Sequence, residues 1–251
     1  MTPLPVVVLV EPAGPINVGS VARLCANFAI QELRLVRPRC DHLGEEARRM
    51  AVHAQTLLER ALLFPDLSAA IADCGRVVAT SGRLEPEPVP VGPAADVLAW
   101  LLAGRAGGAR AALVFGREDQ GLRNDELLQA GRILRIASDP AYPSLNLSHA
   151  VAVTLHGLRQ LEPPAEGATP DQRQPSGPPR PDPANRGALE AALLDAEALL
   201  LEAGFLMPHT AQARMAKLRA LLQRAQVGSE EVALLRGMVS QVRWACRSRT
   251  P

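Results

Sequence analysis

Residues 142–158 read YPSLNLSHAVAVTLHGL, and two periods meet inside them. Ser144, Asn146 and Ser148 alternate with Leu145 and Leu147, and an apolar run with helical spacing follows at once. Short polar side chains at such a junction cap helices, since their oxygens accept from the first free backbone N–H groups. Ser144 or Asn146 can therefore start a helix over Leu147–Leu161. The same residues can also form one wall of a binding site, and the stretch alone leaves both readings open. His149 and His156 lie two turns apart on that helix, without further ligands at metal spacing, and read as packing or capping residues.

Upstream, short β-rich runs alternate with helical patterns. Val6–Glu11, Glu32–Val36, Arg76–Gly82, Ala109–Gly116 and Arg132–Ser138 read as strands, several apolar on both faces as parallel strands are. Between them helices are expected at Val18–Phe28, Glu45–Leu63, Ala94–Leu102 and Asn124–Ala130. This alternation predicts an α/β domain over 1–161, with a mostly parallel sheet covered by helices on both faces. From 162 to 187 the chain holds eight of its 22 prolines and almost no large apolar residue, which predicts a semi-extended linker. Helical patterns return at Ala188–Leu206, Thr210–Ala225 and Ser229–Cys246, a small all-helical extension over 188–251. In the second of these, Met215, Leu218, Leu221 and Leu222 share a stripe flanked by Arg214, Lys217 and Arg224.

Bulk properties narrow the function. The formal net charge is +1, with 47% hydrophobic residues, enough for a sizeable core. The charge is uneven: residues 208–251 carry eight Arg or Lys against Glu230 and Glu231, which points to a polyanionic partner. Four cysteines (Cys25, Cys40, Cys74, Cys246) show no Cys-x-x-Cys pair and no metal-ligand spacing, so no metal is expected and buried thiols in a reducing compartment are. No basic leader precedes the first apolar run and no stretch reaches the ~20 apolar residues of a membrane span, so a soluble, cytoplasmic protein with no membrane partner is expected.

Two further motifs carry chemistry. In Asn17–Phe28 (NVGSVARLCANF) a helix start bears Asn17, Ser20 and Arg23, with Asn17 suited to cap it. Ser20 and Val21 stand where a phosphate loop needs Lys and Ser or Thr, which excludes a nucleoside triphosphatase, and no Gly-x-Gly-x-x-Gly marks a dinucleotide site. In Val114–Leu127 (VFGREDQGLRNDEL) a strand ends in Phe-Gly, followed by Arg117, Glu118, Asp119 and Gly121. Charged residues and glycines at the carboxyl end of a parallel strand sit where such sheets bind ligands. Asn124 or Asp125 is expected to cap the next helix.

Taken in order, the three motifs resemble the signature of the SpoU branch of the SPOUT methyltransferases. The matching residues are Asn17, Gly19, Ser20 and Arg23; Phe115, Gly116, Glu118 and Gly121; and every position of Ser144–Ser148. The resemblance covers about Pro5 to Leu161, and the helical tail with its EAGFL, KLRALLQRA and ALLRGM segments is similar to the extension of TrmJ-type tRNA methyltransferases. It implies a trefoil knot at the carboxyl end of the α/β domain, a homodimer, and an S-adenosylmethionine (SAM)-dependent 2′-O-methyltransferase acting on nucleotide 32, a C or U, of the tRNA anticodon loop. It implies SAM contacts by Thr80, Ser81, Gly82, Gly116, Arg117, Gly121, Ile136, Ser144, Leu145 and Leu147. The reacting ribose falls to Arg23, Asn17, Glu118, Ser144 and Asn146, with Arg23 essential, Ser144 and Asn146 orienting it or the ribose, and Glu118 holding the arginine or a hydroxyl. Arg214, Lys217 and Arg224 are the expected RNA contacts. The alternatives are another tRNA position, ribosomal RNA, or a non-catalytic RNA-binding module of the same fold. One departure stands out: the Phe-Gly that closes motif one in the family is Phe28-Ala29 here.

Overall fold

Every residue of the first strand, β1 (Val6–Val10), is buried, and its side chains divide by parity between two cores. Val7 and Leu9 enter one hydrophobic cluster and Val6, Val8 and Val10 another, as period-two geometry requires of a strand covered on both faces. The computed structural model describes residues 4–82, 89–103, 109–139, 141–161 and 183–248. Among them β1 is followed by α1 (Pro15–Asn27), β2 (Leu33–Val36), α2 (Glu45–Ala51), α3 (Gln55–Glu59), β3 (Leu62–Phe64), α4 (Leu67–Ala70) and β4 (Cys74–Thr80). Then come β5 (Val91–Gly92), α5 (Ala94–Ala103), β6 (Arg110–Phe115), α6 (Asn124–Leu127), β7 (Arg132–Leu134) and α7 (Leu147–Gln160).

The seven strands lie in the order β3-β2-β1-β6-β4-β7-β5, and all pairings are parallel. The chain runs outward from β1 to β3, then crosses to the other side and fills it through β4. The order reverses between β1 and β6, which sets a ligand crevice at the carboxyl ends of these strands. One face of the sheet is covered by α1, α2, α3, α5 and α7, whose apolar residues join Val7, Leu9, Leu113 and Phe115. Gly19 makes the closest helix contact: a Cβ there would stand 2.2 Å from the Ala47 carbonyl oxygen of α2.

Several expected boundaries are corrected. The single helix expected over Glu45–Leu63 is three pieces, because Val52 takes φ 54 and ends α2, a 3-10 turn follows, and Leu62–Phe64 pairs with β2 as an edge strand. The last strand ends at Leu134 rather than Ser138, because β4 offers no partner beyond Thr80. Asn17 does not cap α1: Gly14 is the N-cap and Pro15, with no N–H to satisfy, opens the helix. Asn124 and Asp125 do not cap α6, where Glu126 instead accepts from the Arg123 N–H at 2.8 Å. Asn146 does cap α7, accepting from the Ser148 N–H at 2.9 Å. His149 and His156 are both exposed on α7. Of the cysteines, Cys25 and Cys74 are buried, Cys40 is half-buried and Cys246 is exposed.

The family's missing glycine has a visible consequence. Ala29 follows α1 at φ 59, in the left-handed region that costs a residue with a Cβ roughly 1–2 kcal/mol. Its side chain is exposed, so Ala29→Gly forfeits no packing. That substitution is expected to stabilise the chain by about 0.5–1 kcal/mol in urea denaturation, the strain relief exceeding the entropy of a glycine. A lower urea midpoint would refute this account of the turn.

Most of the expected linker lies outside the described residues. Its end is ordered: Pro183 bridges Gly228, Ala184 N–H donates to Val227 O, and the next helix starts at Arg186 rather than Ala188 because Asn185 caps it. Helices α8 (Arg186–Glu202), α9 (Pro208–Ala225) and α10 (Ser229–Arg247) share a core of Leu189, Leu193, Leu206, Ala211, Met215 and Val232. Met215, Leu218 and Leu222 face this core, whereas Leu221 is 52% exposed and falls off the expected stripe. The bundle docks on the sheet domain through α8, whose Gly187 N–H donates to Ala72 O.

Candidate functional site

A cavity of about 280 Å3 opens at the carboxyl ends of β4, β6 and β7. Thr80, Ser81 and Gly82 wall it from the end of β4, and Gly116, Arg117, Glu118 and Gly121 from the turn after β6. Ile136, Ser144, Leu145 and Leu147 close it from the segment between β7 and α7. All ten residues expected to touch the cofactor therefore line one cavity, with Glu118 beside them. Phe115 and Asp119 of the second motif and Pro143 beside the third also line it, as do Gln120, Leu122, Leu134 and Ala150, which the sequence does not mark out. The apolar ones differ in no way from core residues in a sequence pattern, so only their place at the strand ends reveals them.

The turn after β6 is shaped by two glycines. Arg117 and Gly121 exchange backbone hydrogen bonds at 3.2 and 3.0 Å, and Gly121 takes φ 66. A Cβ on Gly116 would lie 2.2 Å from the Gly121 carbonyl carbon, so the turn closes only without a side chain there.

The Arg117 side chain is not open to a ligand. Its guanidinium donates to Glu126 at 2.9 and 2.8 Å, to Glu11 at 2.9 Å and to Gly121 O at 3.2 Å, with only 4% of the side chain exposed. The expected cofactor contact of Arg117 is thus confined to its backbone. The Arg117 hydrogen bond, against the opposing effect of burial, pulls the Glu11 carboxyl from 4.5 to about 2. For Glu126, burial pushes upward but the hydrogen bonds from Arg117 and Arg123 outweigh it, and the carboxyl also falls below its ordinary value.

Glu118 ties the three motifs together. One of its oxygens accepts from Ala13 N–H at 3.0 Å, the other from Gly14 N–H at 3.1 Å and Asn17 Nδ2 at 3.0 Å. Asn17 Oδ1 in turn accepts from Asn146 Nδ2 at 3.1 Å, and Asn146 Oδ1 accepts from the Ser148 N–H and hydroxyl. A continuous relay thus runs Ser148, Asn146, Asn17, Glu118. Each amide orientation is set by its neighbours, since Glu118 accepts and Asn17 must present its NH2 group to it. Burial raises the Glu118 carboxyl, yet these donors outweigh it and the group lies below its ordinary value. The expectation that Glu118 holds Arg23 is corrected, because its oxygens are engaged by the start of α1. Asn146 likewise bonds Asn17 and not Arg23. Ser144 is an exposed wall residue.

Of the five residues expected at the reacting ribose, Glu118 and Ser144 line the cavity, whereas Asn17, Asn146 and Arg23 do not. Arg23 is exposed on α1, with no ion-pair partner among the described residues. Arg39, which the sequence does not mark out, reaches the wall residue Asp119 at 3.3 Å. In the bundle, acidic residues of α8 neutralise much of the basic tail: Glu190 pairs Arg219, Asp195 pairs Arg236 and Glu202 pairs Arg247. Arg214, Lys217 and Arg224 are exposed, and none has an ion-pair partner among the described residues.

These carboxylates predict a pH response. A carboxyl held below its ordinary value stabilises the fold fully above that value, and the contribution is lost as pH falls through the folded value. For Glu11 the window runs from about 4.5 down to about 2, and Glu118 and Glu126 add to it. Urea midpoints are expected to fall steadily across that window; midpoints that stay level would contradict the network.

The chemistry of the wall is one-sided. Leu122, Leu134, Ile136, Leu145 and Leu147 make it largely apolar, while Glu118 and Asp119 supply negative charge and no free guanidinium or ammonium faces it among the described residues. Such a cavity suits a partly apolar cation and disfavours a phosphate group. Its size is at the lower end of small-molecule pockets, roughly 300–1,000 Å3.

Comparison with known proteins agrees in extent with both parts of the chain. Residues 5–156 match the SpoU rRNA Methylase family, and residues 188–250 match the C-terminal domain of tRNA methyltransferase TrmJ. The tRNA (cytidine-2'-O-)-methyltransferase TrmJ of Methanocaldococcus jannaschii is 40% identical over 158 residues, 61% of this chain and 66% of that one. The tRNA (cytidine/uridine-2'-O-)-methyltransferase TrmJ of Klebsiella pneumoniae is 36% identical over 238 residues, 94% of this chain and 95% of that one. The crystal structure of TrmJ from Z. mobilis ZM4 superposes with a TM-score of 0.80 at 28% identity, covering 96% of this chain and 99% of that one.

Proposed function

Because the chain belongs to the SpoU rRNA methylase family, we propose that it is a SAM-dependent tRNA 2′-O-methyltransferase acting on a C or U at nucleotide 32 of the anticodon loop. The observation that carries this reading is the relay from Asn146 through Asn17 to Glu118, which joins all three motifs beside one cavity. The catalytic domain is read as 1–161 and the RNA-binding extension as 188–251. The choice of tRNA rests on the extension and on the relatives, whose names specify cytidine or cytidine and uridine.

The cavity fits SAM in character, with aliphatic walls and carboxylates for a cationic ligand. When bound, SAM supplies a methyl group already activated by the sulfonium charge. The chain aligns the acceptor and excludes water. Leu145, Leu147 and Ile136 shield the cavity, and the backbone of Gly116 and Gly121 lets a ligand approach closely. A guanidinium carries donors only, so Arg23 acts by stabilising negative charge that develops on the ribose oxygen and by holding an adjacent phosphate. Glu118, which accepts from Ala13 N–H, Gly14 N–H and Asn17 Nδ2 and lies below its ordinary value, is a positioning residue and not the proton acceptor.

Two structural readings complete the proposal. The chain leaves the edge strand β5, returns to place β6 between β1 and β4, and then inserts β7 beside β4; these crossings support a trefoil knot whose loops wall the cavity. Ile16 and Leu145, chain neighbours of the hydrogen-bonded Asn17 and Asn146, are exposed and support a homodimer through this end, where Arg23 of one chain can serve substrate beside its partner. Its place is the cytoplasm, with its tRNA. Incubation of unmodified tRNA with the protein and SAM, followed by mass-spectrometric mapping, is expected to place the ribose methyl at nucleotide 32. Methylation elsewhere, or only of ribosomal RNA, would overturn the assignment.

A further inference from the structure

The seam between the sheet domain and the helical bundle holds a second cavity, about 10 Å3 in volume. That is room for one water-sized guest. Gly75 at the start of β4, Trp100 on α5, Arg186 at the start of α8 and Gln223 near the end of α9 line it. Three of these side chains hold buried polar atoms with no hydrogen-bond partner among the described residues: Trp100 Nε1, Arg186 Nε, and both Nε2 and Oε1 of Gln223. All but Oε1 are donors, so the cavity presents an excess of N–H groups.

The charge is as one-sided as the hydrogen bonding. Arg186 is 6% exposed, and although burial pulls its guanidinium down to about 10, it remains a cation at neutral pH. Glu190 lies one helical turn along, but its two oxygens accept three hydrogen bonds from Arg219 at 2.9, 3.1 and 2.9 Å. Arg76 and Arg132 stand over the Trp100 ring at 5.2 and 5.1 Å, where Arg76 donates to Trp100 O and Asp96 offsets Arg132. The 17-residue helix α8 points its positive end at the same place. A buried cation without a partner is costly, and each orphaned donor adds its own desolvation penalty. A water molecule can accept two of the hydrogen bonds but leaves the charge uncompensated. A single-atom anion answers both.

We propose that this seam cavity is a binding site for a small inorganic anion, chloride in ordinary buffers, held by Arg186 Nε, Trp100 Nε1 and Gln223 Nε2. The ion joins α5 of the sheet domain to α8 and α9 of the bundle, so its occupancy fixes how firmly the bundle is docked. The site is separate from the methyl-transfer cavity, and the inference stands or falls independently of it.

Crystals of the full chain grown in sodium bromide test the proposal directly. An anomalous peak is expected in the seam, within about 3.5 Å of Arg186 Nε. A cavity without an anomalous signal, or bromide scattered over the surface but absent from the seam, overturns it. In solution, raising chloride about 100-fold at constant ionic strength, balanced by a bulky organic anion, is expected to raise the melting temperature by about 2–4 °C. Trp100→Phe keeps the ring and removes one donor, and Arg186→Met removes the charge. Both are expected to abolish the chloride response; where Arg186→Met fails to fold, Trp100→Phe alone decides. A response of wild-type size in a folded variant overturns the assignment.

Discussion

Arg23→Ala is expected to lower methyl transfer to tRNA by roughly 10²–10³-fold, the usual cost of deleting one preorganised donor at a developing oxyanion. The residue is exposed and makes no ion pair among the described residues, so nothing in the fold depends on it. Melting temperature and SAM affinity are therefore expected to stay at wild-type values, which separates a chemical defect from a structural one. Arg23→Lys keeps the charge but loses the planar fork of donors, and is expected to fall between the two. Single-turnover kinetics with saturating SAM is the decisive measurement. Wild-type turnover in Arg23→Ala removes this residue from the mechanism.

The second large effect is on stability. Arg117→Ala strips the shared partner from Glu11 and Glu126, leaving two carboxylates in a region where Glu126 is 4% exposed. Removing one member of a buried ion pair typically costs about 3–5 kcal/mol, most of it the penalty of the charges left behind. Arg117 also donates to Gly121 O, so the turn that walls the cavity loosens at the same time and SAM affinity is expected to drop. Pairing the change with Glu126→Gln is expected to restore part of the stability, because a buried charge left with only Arg123 as its partner disappears. A loss below about 1 kcal/mol for Arg117→Ala in urea denaturation would mean that water reaches the pair and the network is weak.

Much of this architecture is legible in the chain because local and global signals agree. Five of the seven strands are apolar runs set between helical patterns, and burial on both faces gives them a composition that few other elements share. β3 and β5 are not legible: three and two residues long, they are too short to show a period, and Leu62 and Leu63 are exposed at the sheet edge. The break at Val52 is hidden for another reason, since a β-branched residue at positive φ contradicts its own preference and is imposed by packing. At the site, residue types and spacing reveal the members of the three motifs but not their partners. Arg117 reads as a ligand group and is an internal brace; Glu118 reads as a holder of Arg23 and instead holds Asn17. Side-chain direction at the end of a strand depends on neighbours more than a hundred residues away, which no local pattern encodes.

The central place of β1 governs the order in which the protein can be made. Residues 6–10 leave the ribosome long before β6, their neighbour on one side, which comprises residues 110–115. Until that strand is synthesised, the inner edge of β1 offers its backbone groups to any passing strand, a known route to aggregation. The relay is later still, because Asn17 waits for Asn146. A nascent chain halted before Ser144 carries two of the three motifs but not the relay, so competence arrives late in synthesis.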